Sequence, residues 1–313
     1  MLAYIARRIL ASIPVMIVVA LFVFLLLRLT PGDPAAIIAG DMATPAQLDQ
    51  IRQSLGLNEP LVTQFVTWSG QLLSGDFGRS LISKTPVLRL IGQRLEPTLS
   101  LAIVTMLITL LLSIPMGVLA AWRHGSLTDS AVMAISVLGF SIPVFVTGYI
   151  FIQIFAIDLR IFPVQGFKSI GEGFWPFFSR IFLPALTLAT IYIALIARMT
   201  RAAMLDVLGE DYVRTARAKG LSERVVLFRH ALRNAAVPIL TVVGTGFALM
   251  ISGVVVTESV FNIPGLGRLT VDAILARDYP VIQALILLTS GIYVVINLLI
   301  DISYAFMDPR IRY

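Results

Sequence analysis

Six long apolar runs punctuate the chain, at residues 9–29, 99–121, 130–156, 183–199, 236–257 and 281–306. Each approaches or exceeds the roughly 20 apolar residues that a helix needs to cross a bilayer. Arg7 and Arg8 precede the first run, as in the basic region of a signal peptide. That run is too long for a signal-peptide core, however, and no small-residue cleavage pattern follows it. It reads as an uncleaved first helix with its N-terminus in the cytoplasm.

The polar intervals then fall alternately outside and inside. Residues 30–97 form an external insertion that opens with the turn signal TPGDP. Within it, Thr44-Pro45 reads as a helix start, Leu48, Ile51 and Leu55 as a helical stripe, and Gly56 as the stop. Leu61, Phe65, Trp68 and Leu72 predict a second amphipathic helix, and Leu88, Ile91 and Leu95 a third. Such short helices need a surface to pack on, either one another or the bilayer interface. The connection WRHGSLTD at residues 122–129 is short enough to make the second and third runs antiparallel neighbours. Interval 157–180 is external and carries Phe174, Trp175, Phe177 and Phe178, which read as an interfacial belt or as a pocket for peptide side chains. Pro115 with Gly117, and Pro143 with Gly148, mark interruptions of the backbone ladder, read as bends or as a substrate site.

Composition agrees with this pattern. The chain is 58% hydrophobic and only 13% charged, against about 25% charged residues in an ordinary soluble domain. Its 313 residues include no cysteine, which excludes disulfides, thiolate nucleophiles and Cys-ligated metals. The net charge of +6 could point to nucleic acid, but basic cytoplasmic loops account for it in a membrane protein. Leaving out the long first interval, about 13 Arg and Lys fall on the inner side and about 5 on the outer, which predicts both termini in the cytoplasm. The fold class expected is therefore an all-α integral membrane protein with six transmembrane helices.

Catalytic signatures are missing. No G-x-x-x-x-G-K-[ST] phosphate loop occurs, and no H-E-x-x-H or G-x-S-x-G. Gly265 and Gly267 in IPGLGRLT superficially match a dinucleotide fingerprint, but lack its third glycine and its strand-to-helix setting. The chain is expected to be no enzyme. Asp301, within the last apolar run, is a candidate proton site or a hydrogen-bonded structural acid, and Gln153 carries the same ambiguity. Gln153, Pro143, Glu258 and Asp301 are the candidate residues of a translocation path.

The most densely charged stretch lies between the fourth and fifth runs: DVLGEDYVRTARAKGLSERVVLFRHALRN, residues 206–234. Residues 211–235 resemble the cytoplasmic EAA loop of ABC importer permeases, in the form used by the dipeptide/oligopeptide (peptide/nickel/glutathione-type) permease family. Against the general motif E-A-A-x-x-x-G the match is poor, with Arg214, Thr215 and Ala216 at the E-A-A positions and Gly220 at the glycine. Against the peptide-family form it is nearly complete. LTPGDP at 29–34, GDFGRS at 75–80, SIP at 141–143, FNIPGLGRL at 261–269, RDYPVIQA at 277–284 and DPRIRY at 308–313 extend the resemblance over the whole chain. It is closest to the first of the two permeases.

The resemblance implies a type I ABC importer permease fold in a bacterial inner membrane, with a helical periplasmic insertion after the first helix. The divisions are then 1–29 for the N-terminus and first helix, 30–97 for the insertion, 98–306 for a five-helix core containing coupling loop 201–235, and 307–313 for the tail. Implied partners are a second homologous permease, two ABC ATPase subunits and a periplasmic or lipid-anchored solute-binding protein, with no nucleic acid. No cofactor is implied in this chain; ATP and Mg would be bound by the ATPases. The cargo implied is a di- or oligopeptide, with nickel, glutathione or an opine-like solute as alternatives in the same architecture. A proton-coupled carrier using Asp301 is the alternative of a different class.

For coupling, the pattern predicts one short helix over 207–219, with Leu208, Tyr212 and Thr215 near one face. Gly220 ends it and Ser222 caps a second helix running through Arg233. Asp211, Tyr212, Arg214, Thr215, Ala216, Arg217, Ala218, Lys219, Gly220 and Leu232 are the expected ATPase-coupling residues. Arg214, Arg217 and Lys219 would meet acidic or carbonyl groups, and Ala216 and Ala218 would permit close approach.

Overall fold

A computed structural model describes residues 2–29, 35, 44–54 and 56–307. The expected turn at 30–34, Leu55 of the first amphipathic stripe, and the DPRIRY tail lie outside the described residues. Helices make up the fold. Five of those described are long and apolar enough to cross a membrane, and a sixth span arises if one sharply bent helix pair is counted as a single crossing.

The chain divides into two compact units. One contains residues 2–93 and 269–294. Its first helix, α1 (Leu2–Leu29), is followed by α2 (Pro45–Ser54) and α3 (Leu61–Leu73). As expected, Gly56 ends the α2 region with φ +64°, and Leu57 N–H reaches back to Arg52 O at 2.9 Å. The packing of α3 takes a third course beside the two expected. Phe65 and Trp68 set their rings 5.2 and 5.6 Å from Phe24 of α1, so the helix docks on the first span. The same unit joins two of the sequence signatures. Ser80 Oγ of GDFGRS donates to Asp278 Oδ2 of RDYPVIQA at 2.5 Å, and Leu81 N–H donates to Oδ1 at 3.0 Å. Asp278 is buried, and these two donors offset its desolvation.

The other unit contains residues 94–268 and the chain from 295 onward. Its part of α4 (Val87–Trp122) corrects one expectation. Leu88, Ile91 and Leu95 do not form a separate short helix but open a continuous helix of 36 residues that passes through Pro97 and Pro115. Pro97 is buried, so packing holds the helix together where local propensity would end it.

The third apolar run is broken. α5 (Leu127–Ser141) and α6 (Val144–Phe151), the latter continued by the π-helical stretch Ile152–Asp158, are bent by 103°. Pro143 lacks an N–H and drives the preceding Ile142 to φ −88°, ψ 125°, which is extended and ends α5.

At the centre of this unit is α7 (Phe174–Leu208), which packs on α5, α6 and α9 (Leu232–Val260). Its inward face includes Ile181, Leu183, Leu188, Tyr192, Ile196 and Met204, all buried. Small residues let the backbones approach, as membrane helices require when lipid is as apolar as the side chains. A Cβ on Gly253 of α9 would lie 2.7 Å from Leu188 Cδ1, and one on Gly139 of α5 would lie 3.0 Å from Thr190 O. The aromatic cluster belongs to the first turns of α7, not to a loop. Phe177 points into the core, while Phe174 and Trp175 are exposed beside Phe178 in a stacked ladder.

Candidate functional site

The charged stretch between α7 and α9 folds into a knob. It does not begin as one helix over 207–219. α7 ends at Leu208, Gly209 and Glu210 intervene, and α8 (Asp211–Ala218) starts afresh. Glu210 adopts an extended ψ of 147° ahead of it. Gly220 closes α8 with φ +77°, as its sequence position predicted. A new helical run starts at Glu223, passes through the π-helical stretch Val226–Ala231 and enters α9 without a break. Ser222 occupies the N-cap position, but its hydroxyl makes no capping bond. Its carbonyl accepts from Val225 N–H and Val226 N–H instead.

The buried face of α8 differs from the one expected. Val213 and Ala216 are buried against Val226, with Val207 and Leu208 around them. Ala216 therefore holds the knob together and is not a surface for close approach; Ala218 is exposed. Asp211, Tyr212, Arg214, Thr215 and Lys219 face outward. Tyr212 is tethered all the same, its hydroxyl accepting from Asn234 Nδ2 at 2.9 Å, which ties α8 to the first turn of α9. Arg217 and Glu223 form a two-pronged ion pair, Nε to Oε1 at 2.8 Å and Nη2 to Oε2 at 3.3 Å, across the Gly220 turn. Arg214 pairs with Asp211 at 3.2 Å. Leu232 is partly buried, packed against a cluster with Val118, Met204, Leu227 and Ala235.

A second feature braces the knob's parent helix, and the sequence reading missed it. Asp129, at the start of α5, has a side chain only 6% exposed. It takes Arg201 of α7 on both oxygens, at 2.5 Å from Nε and 2.7 Å from Nη2. Gly125 N–H adds a bond at 3.1 Å, and His124 Nδ1 lies 3.1 Å from Oδ2 and 3.0 Å from Arg201 Nη2. The 122–129 turn is thus fastened to α7 two turns above the knob. Arg201 was visible in the sequence only as one more basic loop residue.

Of the translocation-path candidates, Gln153, Glu258 and Asp301 have partners. Gln153 is exposed and donates to Asp158 Oδ1 at 2.9 Å; Pro143 sits at the bend; Asp301 is partly buried and partnered. Glu258 is fully buried in a closed nest. Thr98 Oγ donates to its Oε1 at 2.6 Å, and Arg268 N–H donates to Oε2 at 2.9 Å. Arg268 N–H lies in the first turn of α10 (Leu266–Leu275), so the carboxylate caps a helix N-terminus, while Thr98 reaches it from α4. Thr98 Oγ in turn accepts from Leu266 N–H at 2.8 Å. This explains the glycine pair: a Cβ on Gly265 would lie 2.0 Å from Glu258 Oε1, and one on Gly267 would lie 2.6 Å from Val255 Cα.

Residues 113–313 match the family model described as the binding-protein-dependent transport system inner membrane component, and residues 1–102 match the N-terminal model of such components. The chain belongs to this permease family. A Sinorhizobium fredii protein named as a peptide ABC transporter permease is 57% identical over 310 residues, covering 99% of each chain. A Brucella abortus protein named as a peptide transport system permease is 46% identical over 313 residues, covering all of both. The glutathione transport system permease GsiC of Salmonella typhi is 44% identical over the same length of 313 residues, again covering both chains in full. Among solved structures, a chain of the MetNI methionine ABC transporter in an inward-facing conformation superposes with a TM-score of 0.58 at 17% identity, covering 71% of this chain and 97% of that one. That likeness is one of fold. The permease is thus a multi-pass membrane protein with the helix architecture of ABC importers.

Proposed function

We propose that this permease is one of two homologous membrane subunits of an ATP-driven importer for di- or oligopeptides, and that the knob at 209–234 seats on a separate ATPase. The observation that carries the coupling role is the construction of the knob. α8 is held by Val213, Ala216 and Val226 and by the Tyr212–Asn234 bond, and the helical run from Glu223 on which it packs is continuous with α9. A rigid element of this kind transmits displacement to the spans it joins. The Asp129–Arg201 brace extends that displacement to α5.

On this reading Asp211, Arg214, Thr215, Ala218 and Lys219 meet the ATPase, which binds ATP and Mg, while Arg217 and Ala216 keep the knob in shape. Both termini and the knob are cytoplasmic, and residues 30–97 face the solute-binding protein. The division of the chain into 1–29, 30–97, 98–306 and 307–313 belongs to the same proposal, with its boundary at 97/98 falling inside the continuous helix α4. Peptide cargo is supported by the names of the Sinorhizobium and Brucella relatives. Glutathione, itself a small peptide, is the second reading, supported by the relative GsiC. Of the path candidates, Gln153, Pro143 and Asp301 stand for the path, whereas the saturated bonding of Glu258 suits an anchor of the 261–268 turn.

The test is reconstitution in liposomes with a partner permease, the ATPases and a binding protein. Labelled dipeptide accumulates only with ATP, and accumulation is lost when the ATPases are omitted. Uptake that persists without ATPases and collapses with the proton gradient overturns the proposal.

A further inference from the structure

The unit formed by residues 2–93 and 269–294 encloses a cavity of about 430 Å³, within the ~300–1,000 Å³ typical of small-molecule sites. Arg28, Gln64, Trp68, Gln71, Tyr279 and Gln283 contribute to its lining. Arg28 is its unusual member. The guanidinium is half-buried and lies over the Phe24 ring, 3.7 Å from the centroid. Its Nε donates to Gln64 Oε1 at 2.8 Å and its Nη1 to Phe24 O at 3.4 Å. Both partners are neutral, and among the described residues no carboxylate lies within ion-pair distance of it. A cation partly withdrawn from water with no counter-charge is costly, and is kept where an anion arrives to complete it.

The surroundings hold this cation in one pose. Gln64 is buried and donates from Nε2 to Leu57 O at 3.2 Å and Glu59 O at 2.8 Å, so its oxygen stays turned to Arg28. Nη2 is left with no partner among the described residues, on a planar fork suited to a carboxylate. Glu59 and Asp76 are the acidic residues of the same lining. Asp76 is partly occupied by Gly78 N–H at 2.9 Å, whereas the exposed Glu59 carboxylate makes no hydrogen bond among the described residues. Gln283 spends its Nε2 on Val23 O at 3.0 Å and keeps its oxygen for a donor.

We propose that this cavity binds a zwitterionic solute of dipeptide class, its carboxylate on Arg28 and its ammonium on Glu59. Trp68 and the glutamine amides meet the solute's apolar and amide portions. The site rests on the peptide-import reading for its cargo, and on the proposed orientation for being a station on the external side.

The test is calorimetric titration of the full-length chain in nanodiscs, without ATPases, with alanyl-alanine, alanyl-alanine amide and N-acetyl-alanyl-alanine. The free dipeptide binds saturably, and amidation or Arg28→Gln weakens binding at least about ten-fold. Glu59→Gln, at an exposed position that folding tolerates, abolishes the preference for the free over the acetylated N-terminus. Absence of saturable binding below about 10 mM, or equal binding of the acid and the amide, overturns the inference. Uptake by the assembled importer separates the two readings. Uptake of alanyl-alanine without binding to this chain removes the site and keeps the importer; binding without ATP-driven uptake removes the importer and keeps the site.

Discussion

At the scale of single residues, the permease places its strongest demands on buried carboxylates and on the glycines beside them. Asp129 and Arg201 are the clearest pair, because one partner is nearly sealed from water. Removing one member of such a pair costs about 3–5 kcal/mol, since the other charge is left without its partner. Asp129→Ala is expected to lower the thermal midpoint of the detergent-purified chain accordingly, and Asp129→Leu combined with Arg201→Met to recover most of the loss. Equal destabilisation by the single and the double variant would assign the effect to packing and not to charge. The glycines divide by the space around them. At Gly220 a Cβ meets nothing within 4 Å, so Gly220→Ala carries only the strain of φ +77°, about 1 kcal/mol. At Gly265 the added methyl collides with the Glu258 carboxylate and must displace it from Thr98 and Arg268 N–H, at a cost of several times that, about 2–4 kcal/mol. Denaturation of the two variants side by side checks the ordering; a Gly265→Ala protein as stable as Gly220→Ala would show that the nest bears no weight.

At the scale of elements, the knob owes its shape to contacts inside it, and this changes what a charge substitution there reports. Arg217 holds Glu223 across the turn, so Arg217→Glu sets two carboxylates against each other before any partner is met. The variant is expected to lose ATPase assembly, measured by co-purification, while still inserting in the membrane. The exchange Arg217→Glu with Glu223→Arg restores the internal pair with the charges reversed. Recovery of assembly in the exchange variant identifies a shape-keeping role; continued loss identifies Arg217 as a direct contact. Lys219→Glu, outside the pair, is expected to weaken assembly without altering the knob. Much of this element was legible in advance: Gly220 as the turn, the charged face of α8, and the continuation toward α9. The break at Gly209–Glu210 and the inward turn of Val213 and Ala216 were not. The inward turn depends on Val226, which arrives ten or more positions later and leaves no trace in the helical period of α8.

At the scale of the whole molecule, what the sequence disclosed and what it concealed follow from the same physics. The hydrocarbon layer imposes length and apolarity on each span separately, so α1, α4, α7, α9 and α11 (Tyr279–Met307) could be found by local pattern alone. Polar pairings between distant segments, such as Thr98 with Glu258 or Asp129 with Arg201, carry no local periodicity and appear only in the fold. Orientation stands apart from both, because it is written in the asymmetry of basic residues between the loops. Arg214, Arg217, Lys219, Arg224, Arg229 and Arg233 crowd the knob interval, against Arg160 and Lys168 between α6 and α7 and Arg180 in the first turns of α7. With no native cysteine, single substitutions report side directly. Ile170→Cys, at an exposed position between α6 and α7, and Leu221→Cys, at the tip of the knob, probe opposite faces of the same span, α7. A membrane-impermeant maleimide applied to cells with a permeabilised outer envelope is expected to label Ile170→Cys at once and Leu221→Cys only after the inner membrane is opened. The reverse order would turn the molecule over, put the knob out of reach of any ATP-driven motor, and remove the physical basis for coupling through α8.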